Sequence, residues 1–302
     1  DFQFLPSQEF VRNFISESTP YNGILLMHTT GTGKTCAGIG IAERFRERAL
    51  NTGNKILIIA KKSIQGEFYK TIYNYDKFYS RKNEKQILQC TGKAYEIDTT
   101  EYISKIAREK KINSMIKDVY EIHGRDVLRN KLVKKIGWNE KEFDISEKIK
   151  NEISEMFSNR VIIIDEIHNR INTSKENDNF PLTLRTILRY SNNIKLILMS
   201  ATPMTNMPSE IVIIINFLRL VNKLPIVKKS EFFDSDENLT KNGKEKFKNF
   251  CKGYVSYVRG EDPPRFPYRL ENKEHKLSNA KYTFNKKKIK NNLKSTKFCN
   301  RR

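Results

Sequence analysis

The chain is poor in cysteine and lacks the spacings that put cysteine to use. Cys36, Cys90, Cys251 and Cys299 lie far apart in 302 residues, with no C-x-x-C pair. Such a pattern points to neither a disulfide framework nor a zinc site, and to a reducing intracellular setting. Apolar residues are also sparse, at 38%, and no run approaches the ~18 residues that a membrane helix needs. The longest candidate, Ile211 to Leu218, is interrupted by Asn216 and reads as a buried helix or strand. No signal-peptide pattern opens the sequence, which begins at Asp1 rather than Met, as expected of a fragment or a processed chain. Acidic residues are outnumbered, 35 against 56 Lys and Arg, for a net charge of +21. That excess favours a polyanionic partner through release of condensed counterions. Nearly half of it, +10, sits in residues 273–302. This lysine-rich tail reads either as a nucleic-acid arm or as a solvated, disordered end.

Against that background two segments stand out. Ile24 to Met27 is a short apolar strand pattern, and Cys36 to Phe45 is a helical pattern with small residues on one side. Between them lies Gly31-Thr32-Gly33-Lys34-Thr35. A glycine-rich turn from strand to helix aims several backbone N–H groups, and the positive end of the helix dipole, at one point. A phosphate group fits there. Lys34 adds a mobile positive charge for β- and γ-phosphates, and the Thr35 hydroxyl is suited to a magnesium ion. The full pattern has glycine six residues before the lysine, where this chain has His28.

The second segment is Val161-Ile162-Ile163-Ile164-Asp165-Glu166-Ile167-His168. Four β-branched residues in a row suit a strand covered on both faces, as in a parallel α/β sheet. Acids at its carboxyl end fall on the edge where ligands bind in open α/β folds. Asp165 is then placed to hold magnesium and Glu166 to orient and deprotonate water. Two such segments in this order predict a P-loop NTPase that takes a nucleoside triphosphate with Mg2+.

Apolar periodicity predicts a doubly wound sheet. Strands are expected at Gly23–Met27, Lys55–Ala60, Gln86–Cys90, Val161–Asp165 and Lys195–Ser200. Helices are expected at Lys34–Leu50, Ile64–Tyr75, Thr99–Ile116, Arg125–Lys135, Ser146–Phe157, Leu182–Tyr190 and Pro208–Leu220. The polar stretch from about 93 to 158, which holds the only tryptophan, Trp138, reads as a helical insertion before the DEIH strand. After Leu220 turn signals accumulate. The expected organisation is a nucleotide-binding domain over 1–222, a linker over 223–270 and the basic tail over 271–302.

A third segment, Met199-Ser200-Ala201-Thr202-Pro203-Met204, follows the last strand. GTGKT, DEIH and SATP in this order resemble the first RecA-like lobe of a superfamily 2 helicase or translocase. The resemblance implies that His168, Ser200 and Thr202 couple the nucleotide site to nucleic acid. It implies that Gln8, in Phe4-Leu5-Pro6-Ser7-Gln8, reads the adenine edge. Lys61, Lys62 and Ser63 correspond to a segment that contacts a nucleic-acid backbone, and Thr91-Gly92 to a further such turn. Phe157 to Arg160, Leu188 to Ser191, Gly253 to Gly260 and Phe266-Pro267 narrow the likeness to helicase-like NTPases of large nucleocytoplasmic DNA viruses, relatives of Swi/Snf translocases. That group implies an ATP-hydrolysing DNA motor in viral transcription or genome handling, sited in the virion or the host cytoplasm. Its implied partners are double-stranded DNA and a viral RNA polymerase complex, with no membrane. Two readings stay open beside it, an ATP-gated transcription factor that does not unwind DNA and a truncated, inactive remnant. In the family a second lobe supplies arginine fingers, and nothing in this chain resembles that lobe, so weak activity of the chain alone is expected.

Overall fold

The computed structural model describes residues 3–74, 89–97, 104–139, 145–171 and 180–259. In chain order the elements begin with α1 (Pro6–Phe14), β1 (Gly23–His28), α2 (Lys34–Glu43), α3 (Arg46–Thr52), β2 (Ile56–Ile59) and α4 (Lys62–Ile72). Then come α5 (Lys105–Val119), β3 (Tyr120–His123), α6 (Asp126–Asn130) with a π-helical turn (Lys131–Ile136), α7 (Glu147–Phe157), β4 (Val161–Ile164) and α8 (His168–Ile171). The last are α9 (Phe180–Tyr190), β5 (Lys195–Met199), α10 (Glu210–Val221), a 3-10 turn (Lys229–Glu231), α11 (Lys241–Cys251) and β6 (Val255–Val258).

The six strands form one sheet in the order β3-β2-β4-β5-β1-β6, with every neighbouring pair parallel. Side chains alternate between its faces because a strand has a two-residue period. Leu25, Leu57, Ile59, Ile162 and Ile164 join one apolar layer with α7, α9 and α10. Ile24, Leu26, Ile56, Ile58 and Ile163 join the opposite layer with α1, α2 and α4. Helices therefore cover both faces, and the β-branched runs predicted to be central strands are buried throughout. Thr240 caps α11 through a hydrogen bond from Gly243 N, 2.9 Å, and Ser146 caps α7 the same way.

Several expectations are set against the structure here. The segment from 93 to 158 is not simply a helical insertion. It contributes edge strand β3, which pairs with β2, and Leu128, Leu132 and Trp138 join the core. Strand β3 is four residues long and buried only at alternate positions, so its two-residue rhythm is submerged by the longer helical pattern before it. The strand expected at Gln86–Cys90 falls largely outside the described residues; its described end, Gln89 to Gly92, is an isolated antiparallel bridge. Finally, the nucleotide-binding unit does not stop at 222. Strand β6, inside the stretch read as a linker, pairs with β1, and the compact unit runs to Val258. The single helix expected at Lys34–Leu50 is broken at Arg44–Phe45 into α2 and α3. Calls on 98–103, on Phe266-Pro267 and on the tail fall outside the described residues.

Candidate functional site

In a parallel sheet the carboxyl ends of all strands share one edge. The turn after β1 and the acids after β4 are therefore neighbours. Gly31 and Gly33 adopt φ of 83° and 77°, a left-handed conformation that glycine enters without the Cβ penalty. These two residues let the loop curl between Thr29 and the first turn of α2. Thr32 is tied back into the loop by its hydroxyl, which donates to Thr29 O at 2.7 Å. Gln8, buried in α1, closes the other side. Its carbonyl accepts from Leu5 N at 2.9 Å, and its amide donates to Gly33 O at 3.1 Å. A Cβ on Gly33 would stand 2.4 Å from the Gln8 amide nitrogen, so any side chain there would displace the Gln8 amide from the loop. The structure thus places Gln8 against the phosphate loop, with part of its hydrogen-bonding capacity already committed there.

Across the cleft, Asp165 extends the β4 ladder by donating its N–H to Ile59 O at 2.9 Å, and its side chain is buried. Glu166 has φ 48°, an uncommon conformation for a residue with a side chain, and such strain clusters at functional sites. Lys34 Nζ lies 2.6 Å from Glu166 Oε1. The other carboxylate oxygen of Glu166 lies 3.2 Å from His168 Nδ1. His168 Nδ1 is in turn 2.7 Å from Ser200 Oγ, and Ser200 is fully buried. Thr202 meets this chain of contacts only through its backbone, Thr202 N donating to Ser200 Oγ at 3.1 Å, while its side chain is exposed. Lys34, Glu166, His168 and Ser200 therefore stand in successive contact, with Glu166 and Ser200 both meeting His168 at Nδ1.

Thr35 sits half-buried in the first turn of α2. Among the described residues no group of three or more His, Cys, Asp or Glu could hold a metal. One carboxylate and one hydroxyl make too small a set for a resident cation, but they fit magnesium that arrives with a triphosphate and keeps phosphate and water ligands. Lys61, Lys62 and Ser63 are exposed at the start of α4, where the chain leaves β2 at this same edge, so they lie beside the acids without joining their contacts.

Sequence reasoning missed two features here. Cys36, two residues after Lys34, is disulfide-bonded to Cys90 in the turn before Thr91-Gly92, with the Cα atoms 5.6 Å apart. This corrects the expectation of unpaired cysteines, since the fold brings together residues 54 apart in sequence. The second is His28, the residue that departs from the phosphate-loop pattern. It is buried, and its Nε2 lies 3.0 Å from Ser256 Oγ of β6. The off-pattern identity was the signal, but its partner lies in a distant segment.

A strand, glycine loop and helix facing an acid-ended parallel strand define a P-loop NTPase domain of RecA-like architecture. Residues 3–205 match the family described as "Type III restriction enzyme, res subunit". The chain belongs to this helicase-type family, as a first lobe of superfamily 2. It is 30% identical over 295 residues to a mimivirus protein named as an ATP-dependent RNA helicase, covering 90% of this chain and 24% of that protein. It is 24% identical to the early transcription factor large subunit homolog of African swine fever virus, covering 87% of this chain and 28% of that protein. The chain thus spans about a quarter of the length of these relatives. Among solved structures, the Sulfolobus solfataricus SWI2/SNF2 ATPase core in complex with dsDNA shares the fold. Its TM-score is 0.50 at 16% identity, covering 87% of this chain and 48% of that one.

Proposed function

We propose that this chain is the ATP-binding lobe of a nucleic-acid motor. The reading rests on one observation, Lys34 Nζ standing 2.6 Å from Glu166 Oε1. The contact puts a phosphate-binding lysine and a water-activating carboxylate at one point, and once a nucleotide parts them the two would flank its γ-phosphate. The amides of Gly31, Thr32, Gly33, Lys34 and Thr35 hold the phosphates, with Gln8 at the side of the loop. Thr35 and Asp165 hold magnesium, which when bound neutralises the developing charge on the phosphate oxygens. Glu166 orients the attacking water and takes its proton. His168 and Ser200 transmit the state of Glu166 to the turn carrying Thr202, and Lys61, Lys62 and Ser63 grip a nucleic-acid backbone by charge and hydroxyl donation.

Double-stranded DNA is the proposed track, supported by the net charge of +21 and by the fold shared with a DNA-bound SWI2/SNF2 core. The similarity to an early transcription factor subunit supports a second reading, an ATP-gated factor that clears DNA without unwinding it. Work inside a viral transcription assembly, in the virion or the infected cytoplasm, fits both readings. Nucleotide binding is tested first: wild type should bind MgATP in a calorimetric titration and Lys34→Ala should not, and equal binding would refute the site. ATPase rate with and without duplex DNA, on this chain and on a longer form, then tests the motor. Strand displacement by the longer form separates the two readings.

A further inference from the structure

Two features of the sequence are unused by the proposed site: His28, where the phosphate-loop pattern has glycine, and the Gly253 to Gly260 segment. The fold joins them. Strand β6 lies parallel to β1 with Leu26 opposite Ser256 and His28 opposite Val258. The ladder runs on into the phosphate loop, because Thr29 N donates to Val258 O at 3.1 Å. On top of that backbone pairing lies one side-chain contact, His28 Nε2 to Ser256 Oγ at 3.0 Å. The ring is only 1% exposed, and its other nitrogen, Nδ1, is buried without a hydrogen-bond partner. Leaving a polar atom so is costly, and native structures do it rarely. Burial and the nearby Lys34 charge push the imidazole pKa down to about 4, so the ring is a neutral donor and acceptor at ordinary pH. A glycine at this position would offer β6 no side-chain contact. The imidazole instead makes the first residues of the loop answer to β6, an edge strand whose own side chains are only partly covered.

We propose that His28 is a positioning residue for the triphosphate, holding the phosphate loop to edge strand β6 through Ser256, so that nucleotide affinity depends on whether β6 is seated. The inference rests on the nucleotide-site reading above. Its physical content is that the N–H groups of the loop reach a phosphate only when the loop's entry is pinned, and that the His28–Ser256 contact adds a side-chain tie to the backbone pairing that reaches Thr29.

The test is a fluorescence titration of the full chain with an N-methylanthraniloyl ATP analogue and Mg2+, with a thermal melt on every variant. His28→Ala and Ser256→Ala should each weaken binding about five-fold, the equivalent of one neutral hydrogen bond. The double variant should lose the same about five-fold rather than the product, and Ser256→Thr, which keeps the hydroxyl, should bind like wild type. Should His28→Ala fail to fold, the partly exposed Ser256 and its threonine variant carry the comparison. A purely structural pair would lower the melting temperature and leave affinity untouched. Unchanged affinity in Ser256→Ala, or losses that multiply in the double variant, would overturn the proposal while Lys34→Ala still abolishes binding. Unchanged binding in Lys34→Ala would overturn this proposal together with the site on which it rests.

Discussion

Replacing Glu166 with glutamine is expected to tighten nucleotide binding while stopping hydrolysis. Lys34 is not waiting free for phosphate; it is held by Glu166 at 2.6 Å, with its side chain 10% exposed and that of Glu166 29% exposed. A nucleotide must break this pair, so whatever the pair contributes to the empty protein is subtracted from affinity. A charge-assisted hydrogen bond is worth about 1.5–3 kcal/mol net. Partial exposure of Glu166 screens it toward the lower end. A glutamine carbonyl still accepts from the ammonium, so the substitution removes only the charge, about 1–2 kcal/mol, or roughly five- to thirty-fold in affinity. Calorimetric titration with MgADP reads this without hydrolysis. Loss of a negative charge beside the bound phosphates acts in the same direction. Affinity in Glu166→Gln equal to or below that of wild type would show that the Lys34–Glu166 pair does not compete with the nucleotide.

His28 carries a pH signature. Its pKa falls from 6.5 in the unfolded chain to about 4 in the folded one, so only the unfolded chain takes up the proton as pH drops below 6.5. Stability should therefore fall between pH 6.5 and 4 by about 3 kcal/mol, and urea unfolding of His28→Asn should show an acid limb flattened by that amount. Gly243→Ala would set a Cβ 2.2 Å from the backbone oxygen of Phe232; displacing backbone costs about 2 kcal/mol, to be read as a lower melting temperature with nucleotide affinity unchanged. Peptide mapping without reductant should recover the Cys36–Cys90 link, and Cys90→Ser should lower the stability of the oxidised protein by about 2–4 kcal/mol. If Lys61 and Lys62 both meet phosphates, the double alanine variant should reduce the logarithmic salt dependence of duplex binding by about 2; an unchanged slope would remove them from the interface.

The glycine turn between β1 and α2 was legible because it is local. Gly31, Gly33, Lys34 and Thr35 share a turn only a few residues long, and the four β-branched residues before Asp165 announce a strand buried on both faces. The parallel sheet and its helical cover followed from the same periodicities. What periodicity does not carry is neighbourhood. Glu166 reaches Lys34, His168 reaches Ser200, Cys36 bonds Cys90 and His28 meets Ser256, and each pair is set by strand order rather than by spacing along the chain. The edge strands β3 and β6 were missed for a related reason. A four-residue strand holds too few side chains to show a period, and its assignment comes from the hydrogen bonds offered by the neighbouring strand. Residue types and short spacings thus singled out the candidate groups of this chain, while pairing across the sheet decided which of those groups meet, because contacts between distant segments have energies that no local pattern records.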